Sequence, residues 1–265
     1  MHLGHRALIE RATRLVVIEK GGNLTPGEER CRYSPIECTF FKLSKIAHLT
    51  SNQFISLLKE RFKPIGVVVG EDFRFGKGRQ GGIDTLARHF PVEVVPEVKV
   101  AGIPVHTRTI RYFLQQGEVK KGMKLLGRFY SILANPIPGQ GIGKKLLYPT
   151  INLSPDRRFL LPKKGVYLML LNEEPGVGFI GIRSTDLSFT IEVHLFNFKA
   201  NPIPPIRLHF CQFIRPAQRF TDLDNLRHQI KRDLSTALHL WKLNGSKITK
   251  IVKGENELRH RYLGW

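Results

Sequence analysis

The chain has 265 residues, enough for two modest domains that each bury a core of their own. Its 42 Lys and Arg against 22 Asp and Glu give a formal net charge of +20, which points to anionic partners: nucleotides, nucleic acid or an acidic surface. No apolar run approaches the roughly 20 residues of a membrane span, and three widely separated cysteines, Cys31, Cys38 and Cys211, support neither a disulfide framework nor a zinc site. Met1 leads straight into His2-Leu3-Gly4-His5 without the make-up of a secretion leader, so a reducing cytoplasm is the expected location.

Residues 4–14 read as a helix that offers Ala7, Leu8, Ile9 and Ala12 for packing, and 15–18 as a buried strand. His2 and His5 then sit at or just before a helix start, where free N–H groups and the positive end of the dipole favour phosphate. Two imidazoles placed there can stabilise charge developing on a transferred nucleotidyl group, with no nucleophile required. Thr50 and Gln53 have capping-box spacing, ahead of a helix through Phe54, Ile55, Leu57 and Leu58. The apolar run 65–69 reads as a central parallel strand. It delivers Gly70-Glu71-Asp72-Phe73-Arg74-Phe75-Gly76-Lys77-Gly78-Arg79-Gln80-Gly81-Gly82 at its carboxyl end, where open α/β sheets bind ligands. Taken alone, that string is equally a solvated basic loop. A helix near 84–89 and a strand near 92–95 complete an alternating α/β pattern. Val105-His106-Thr107-Arg108-Thr109-Ile110-Arg111 then enters a helix ending near Gly117, on which Arg111 is by itself a surface cation.

Residues 118–126 read as a short linker helix that Gly127 is placed to end. Beyond it, segments 129–134, 165–171, 179–182, 191–196 and 206–213 alternate or run apolar between Gly and Pro, the pattern of a small closed β-barrel. The loop Gly139-Gln140-Gly141-Ile142-Gly143-Lys144-Lys145 suits a phosphate: glycines admit close backbone approach and lysine supplies counter-charge. In Leu147-Tyr148-Pro149-Thr150-Ile151-Asn152-Leu153 the oxygens of Thr150 and Asn152 share one side of an extended chain and could share Mg²⁺ with ATP phosphates. A turn followed by an ordinary barrel strand is the plainer alternative. Glu192 lies in the apolar run Thr190-Ile191-Glu192-Val193-His194-Leu195, where a carboxylate must be paired or have a task; His194 on the same face reads as packing. A last helix is expected from the N-cap Asp222, with Leu223, Leu226, Ile230, Leu234, Leu238 and Trp241 on one stripe and Arg227, Lys231 and Arg232 in solvent. Residues 244–265 read as a basic tail without fixed structure.

Several of these stretches, taken together, resemble one family. Tyr148-Pro149-Thr150-Ile151-Asn152 is similar to the Pro-Thr-Ala-Asn motif of riboflavin kinases, and Leu161-Pro162-Lys163-Lys164-Gly165-Val166-Tyr167 to the segment that follows it. The His-x-Gly-His pattern resembles the signature of the HIGH-motif nucleotidylyltransferases. Residues 70–76 resemble the Gly-x-Asp-Phe-x-Phe-Gly signature of FAD synthetases, and 105–111 the Ile-Ser-Ser-Thr-x-Ile-Arg element that holds ATP phosphates. The chain is thus identified as resembling the bacterial bifunctional riboflavin kinase and FAD synthetase family over about residues 2–240.

That resemblance implies α/β plus β architecture. A Rossmann-like adenylyltransferase domain spans 1–117, a linker helix 118–127, a kinase β-barrel with its C-terminal helix 128–243, and a basic tail 244–265. It implies ATP-dependent phosphorylation of riboflavin to FMN and adenylylation of FMN to FAD, with Mg²⁺ in both steps. Glu192 becomes the kinase general base in a barrel-mouth pocket, Thr150 and Asn152 the Mg²⁺ ligands, and Gly139, Gly141, Gly143 and Lys144 the kinase phosphate loop. His2 and His5 serve adenylyl transfer, Thr107 and Arg111 hold ATP, and Asp72, Phe73, Arg74, Phe75 and Gly76 form the flavin loop. Riboflavin, FMN and ATP are the expected partners, with nucleic acid and membrane not expected.

The chain departs from the family in several places. His106 and Arg108 replace small hydroxyl residues. Lys144 stands for an arginine and loses its bidentate fork. In the family a strand and a Gly-Asp turn precede the histidine motif, so the expectation is that the reading frame extends upstream of Met1. One activity retained alone, or a basic nucleic-acid-binding protein on a decayed scaffold, are the alternative readings.

Overall fold

The structure, a computed structural model, describes residues 1–139, 149–182, 189–197 and 203–260, with side chains to residue 255. Its contacts divide into two compact units, one of residues 1–106 and one of residues 107–256.

In the first unit, helix α1 (Leu3–Ile9) stops well short of residue 14, and strand β1 (Arg14–Glu19) follows at once. β1 pairs in parallel with β2 (Glu37–Lys42), and β3 (Val67–Gly70) in parallel with β4 (Val92–Val95). Among the described residues these remain two separate pairs. Between them run the short helix α2 (Leu43–Ile46) and helix α3 (Ser51–Phe62), with α4 (Ile83–Ala87) after β3. The expected capping box closes α3: Gln53 N–H donates to Thr50 Oγ1 at 3.2 Å, and Thr50 N–H to Gln53 Oε1 at 2.9 Å. α3 buries Phe54, Ile55 and Leu58 against Phe41, Val69, Phe75, Leu86 and Phe90, with Val16 and Ile18 of β1 packed on the same cluster. Each such buried side chain contributes about 1.5–3 kcal/mol of transfer free energy. Ile65, expected inside β3, is 98 % exposed; the strand starts two residues later. A short hairpin, β5 (Lys99–Val100) and β6 (Ile103–Pro104), ends the unit.

Cys31 and Cys38 are joined by a disulfide, against the sequence expectation. The 3-10 turn Gly27–Tyr33 folds back beside β2 and brings their Cα atoms to 5.7 Å, a proximity that spacing in the sequence does not reveal. Cys211 is free and buried.

The second unit opens with α5 (Thr107–Gln115) and α6 (Val119–Leu126), and Gly127 closes α6 by donating its N–H to Met123. Six strands then form a closed barrel: β7 (Tyr130–Ile137), β8 (Ile151–Pro155), β9 (Gly165–Leu171), β10 (Glu174–Ile182), β11 (Phe189–Leu195) and β12 (Ile206–Pro216). Their order around it is β10-β11-β8-β7-β12-β9. Tyr130, Tyr167, Met169, Ile191, Val193 and Phe210 fill the interior without measurable exposure. Because side chains alternate along a strand, Val166, Leu168, Leu170 and Cys211 point outward. There they are covered by α7 (Leu223–His260), through Leu234, Ala237, Ile248 and Val252.

Two expectations for the last helix are corrected. Leu223 and Leu238 lie at 57 % and 39 % exposure, off the packed stripe. The tail from residue 244 is not loose as far as the helix reaches: α7 runs on to His260, because Ile248 and Val252 continue its apolar stripe along the barrel and the buried Glu255 accepts the Phe129 N–H at 3.2 Å.

Candidate active sites

His2 is the N-cap of α1, and its backbone N–H donates to Nδ1 of His5 at 3.4 Å. That fixes the proton of His5 on Nε2, and the two rings lie 3.8 Å apart. Burial, with His5 and the Met1 amino group beside it, pushes His2 down to about 2; burial, the amino group and Arg30 push His5 down to about 3. Both are therefore neutral imidazoles near pH 7, offering N–H donors rather than charge. The Met1 nitrogen donates to Thr25 Oγ1 at 3.0 Å. His106 is engaged by Glu97 at 2.8 Å.

The loop after β3 is anchored from below. Phe75 is buried in the core, 5.4 Å from Phe54 and 5.7 Å from Phe73, and forms a backbone bridge with Gly81. Gly76 has φ +76° and lies so close to the Ser51 backbone that a Cβ has no room. These two residues thus hold the loop in place, leaving Asp72 and Arg74 exposed and Phe73 partly so. Thr107 and Arg111 lie exposed in α5, one turn apart.

On the barrel, Glu192 of β11 is the register partner of Asn152 of β8, so the two side chains stand side by side on one face. Thr150 precedes Asn152 by two residues, just before β8 begins. Thr190 Oγ1 donates to Glu192 Oε1 at 3.3 Å, and Thr190 and Asn152 are 3 % and 9 % exposed. His194 has a partner after all: its Nδ1–H donates to the Pro149 carbonyl at 2.8 Å, which pins the residue ahead of Thr150. Gly139 approaches Asn152 so closely that a Cβ at 139 would overlap the Asn152 amide. Gly141, Gly143 and Lys144 lie outside the described residues.

This constellation lies on the same face of the wall as Phe179, with Ile191, Val193 and Leu153 at the alternate positions between its members. On its other side Glu192 pairs with Phe179, at the margin of the surface that α7 covers. The sequence reading missed Thr190; the two-residue spacing from Glu192 was its one signal. It also missed the nearly buried pair of Arg215 with Asp233, joined at 2.8 and 2.6 Å, which ties β12 to α7. Beside that tie an open recess of about 470 Å³ is lined by Arg219, Phe220, Thr221, Asn225, His228, Gln229 and Arg232. Glu192, Thr150 and Asn152 are not part of its lining.

Among the described residues no helix is long and apolar enough to cross a membrane, and no cluster of three His, Cys, Asp or Glu could by itself cage a metal. The riboflavin kinase family model matches residues 126–241, and the FAD synthetase model residues 36–109. The bifunctional riboflavin kinase/FMN adenylyltransferase of Escherichia coli K12 is 30 % identical over 284 residues, covering 92 % of this chain and 90 % of that protein. Its namesake from Listeria monocytogenes is 25 % identical over 88 % of this chain and 87 % of its own length. A crystal structure titled as a macrolide-efflux protein from Streptococcus pneumoniae shares the fold, with a TM-score of 0.78 at 22 % identity over 89 % of this chain and 90 % of that one. With both halves matched in order along nearly its whole length, the chain belongs to the bifunctional riboflavin kinase/FMN adenylyltransferase family.

Proposed function

We propose that this chain makes FMN and FAD in two successive steps, with a kinase centre on the barrel wall and an adenylyl-transfer centre at the His2–His5 helix start. In the first step Glu192 accepts the proton of the riboflavin 5′-hydroxyl as its oxygen bonds to the γ-phosphorus of ATP and the bond to the β-phosphate oxygen breaks. Thr190 orients that carboxylate through its hydroxyl. Thr150 and Asn152 present neutral oxygens next to it, and Gly139 brings the start of the phosphate loop onto Asn152. Mg²⁺ suits this donor set, since it takes few protein oxygens together with phosphate oxygens; bound there it would neutralise phosphate charge.

In the second step an FMN phosphate oxygen attacks the α-phosphorus of ATP and pyrophosphate leaves. No proton has to be removed, so no base is needed. Neutral His2 and His5 donate N–H bonds toward the charge that develops, Thr107 and Arg111 bind ATP phosphates, and Asp72, Phe73 and Arg74 contact the flavin from their anchored loop. A cytoplasmic location fits this reading, since ATP and flavin are supplied there.

The observation that carries this reading is the register that sets Glu192 beside Asn152. Its test is a product time course with purified protein, riboflavin, ATP and Mg²⁺. FMN should rise first and FAD follow, both abolished by EDTA and restored by Mg²⁺; FMN accumulating without FAD would remove the adenylyl-transfer half of the proposal.

A further inference from the structure

We propose that Cys31 and Cys38 form a thiol–disulfide exchange site, open to a dithiol reductant, whose state is transmitted to the histidine pair of the adenylyl-transfer centre. Both cysteines are partly exposed, whereas Cys211 is buried in the barrel wall, where burial also raises its thiol pKa. Exchange is therefore confined to the first pair. Attack at Cys38 makes Cys31 the departing thiolate. One thiolate of the reductant attacks Sγ of Cys38 and the Cys31–Cys38 bond breaks; the second thiol of the reductant then resolves the mixed disulfide. Two electrons and two protons pass to the pair, giving two thiols, and the dithiol leaves as its own disulfide.

The link to the histidines runs through contacts in the same unit. The disulfide ties the turn Gly27–Tyr33 to β2. From that turn Arg30 reaches the Thr25 carbonyl at 3.0 Å and Glu19 Oε1 at 3.3 Å, and its charge bears on His5. The nearly buried Thr25 in turn accepts a hydrogen bond from the Met1 nitrogen at 3.0 Å, next to the N-cap His2. Cutting the bond frees the turn from β2, so Arg30 and Thr25 lose their fixed position against α1. The proposal rests on the role given to His2 and His5 above.

The full chain, purified without reductant, is alkylated, digested and analysed by mass spectrometry, then poised in reduced or oxidised dithiothreitol. A linked Cys31–Cys38 peptide is expected, lost on reduction and regained on reoxidation. Reduction should slow FMN-to-FAD conversion about three- to tenfold, the size of one lost positioning hydrogen bond, shift the His5 ring resonances, and leave riboflavin phosphorylation unchanged. A Cys31→Ser/Cys38→Ser chain should match the reduced enzyme and ignore dithiothreitol. Free thiols in the aerobic protein, or an intact link whose reduction moves neither FAD formation nor the His5 resonances, would overturn the proposal. No FAD formation in either redox state would instead overturn the assignment of the histidines, with the alkylation pattern and the His5 resonances still deciding the exchange site.

Discussion

Replacing Glu192 by Gln removes the proposed base while keeping its shape. The Gln carbonyl can still accept the Thr190 hydroxyl at the 3.3 Å separation, and the side chain is only partly buried, so stability should change by no more than about 1 kcal/mol. Loss of general base catalysis costs about 10²–10⁴-fold in rate, or roughly 3–5 kcal/mol on the barrier. The riboflavin kcat should therefore fall by about two to four orders of magnitude with KM nearly unchanged. FMN supplied directly should still become FAD at the parent rate, because Glu192 has no part in the adenylyl-transfer step. The assay is chromatographic separation of riboflavin, FMN and FAD under saturating MgATP. A kcat within about fivefold of the parent, in a variant that unfolds normally, would refute the assignment. An equal loss of both activities would refute the separation of the two centres.

Gly139→Ala would push a methyl group into the Asn152 amide, and misplacing that side chain should lower kinase kcat/KM by at least about tenfold while sparing adenylylation. His2 and His5 are held near 2 and 3, below the unfolded value of 6.5. Their contribution is therefore complete above about pH 6.5 and is lost as the pH falls toward 3. Urea midpoints of the amino-terminal unit should decline with acid over that window, and less steeply in a His2→Asn/His5→Asn chain; parallel curves would contradict the burial. Ile248→Ala should destabilise the barrel unit by about 2–5 kcal/mol in denaturant titrations, whereas a loose tail would make the change negligible.

The sequence was most legible where a short-range pattern decides the outcome. Thr50 and Gln53 gave the start of α3, Gly127 the end of α6, and Asp222 the start of α7, whose Asn225 N–H it caps at 2.7 Å. Only the barrel register could place Glu192 opposite Asn152. That register depends on pairing strands some 40 residues apart in sequence. Which face of the wall looked outward was equally hidden, since interior and helix-covered positions are both apolar. The disulfide stayed out of sight because Cys31 and Cys38 meet through the path of a turn. The end of α7 is hidden in the sequence because Ile248 and Val252 are spaced among lysines that resemble a solvated tail. Phe75, part of the flavin-loop signature, proved to be a core anchor for the loop, a distinction that composition cannot draw.

The most direct test of two centres on one chain follows the label from ATP. With riboflavin and γ-labelled ATP, label should enter FMN and persist into FAD. With α-labelled ATP it should appear in FAD and never in FMN, while pyrophosphate accumulates in step with FAD. Label from the α position in FMN, or FAD absent when FMN and MgATP are supplied together, would contradict the account.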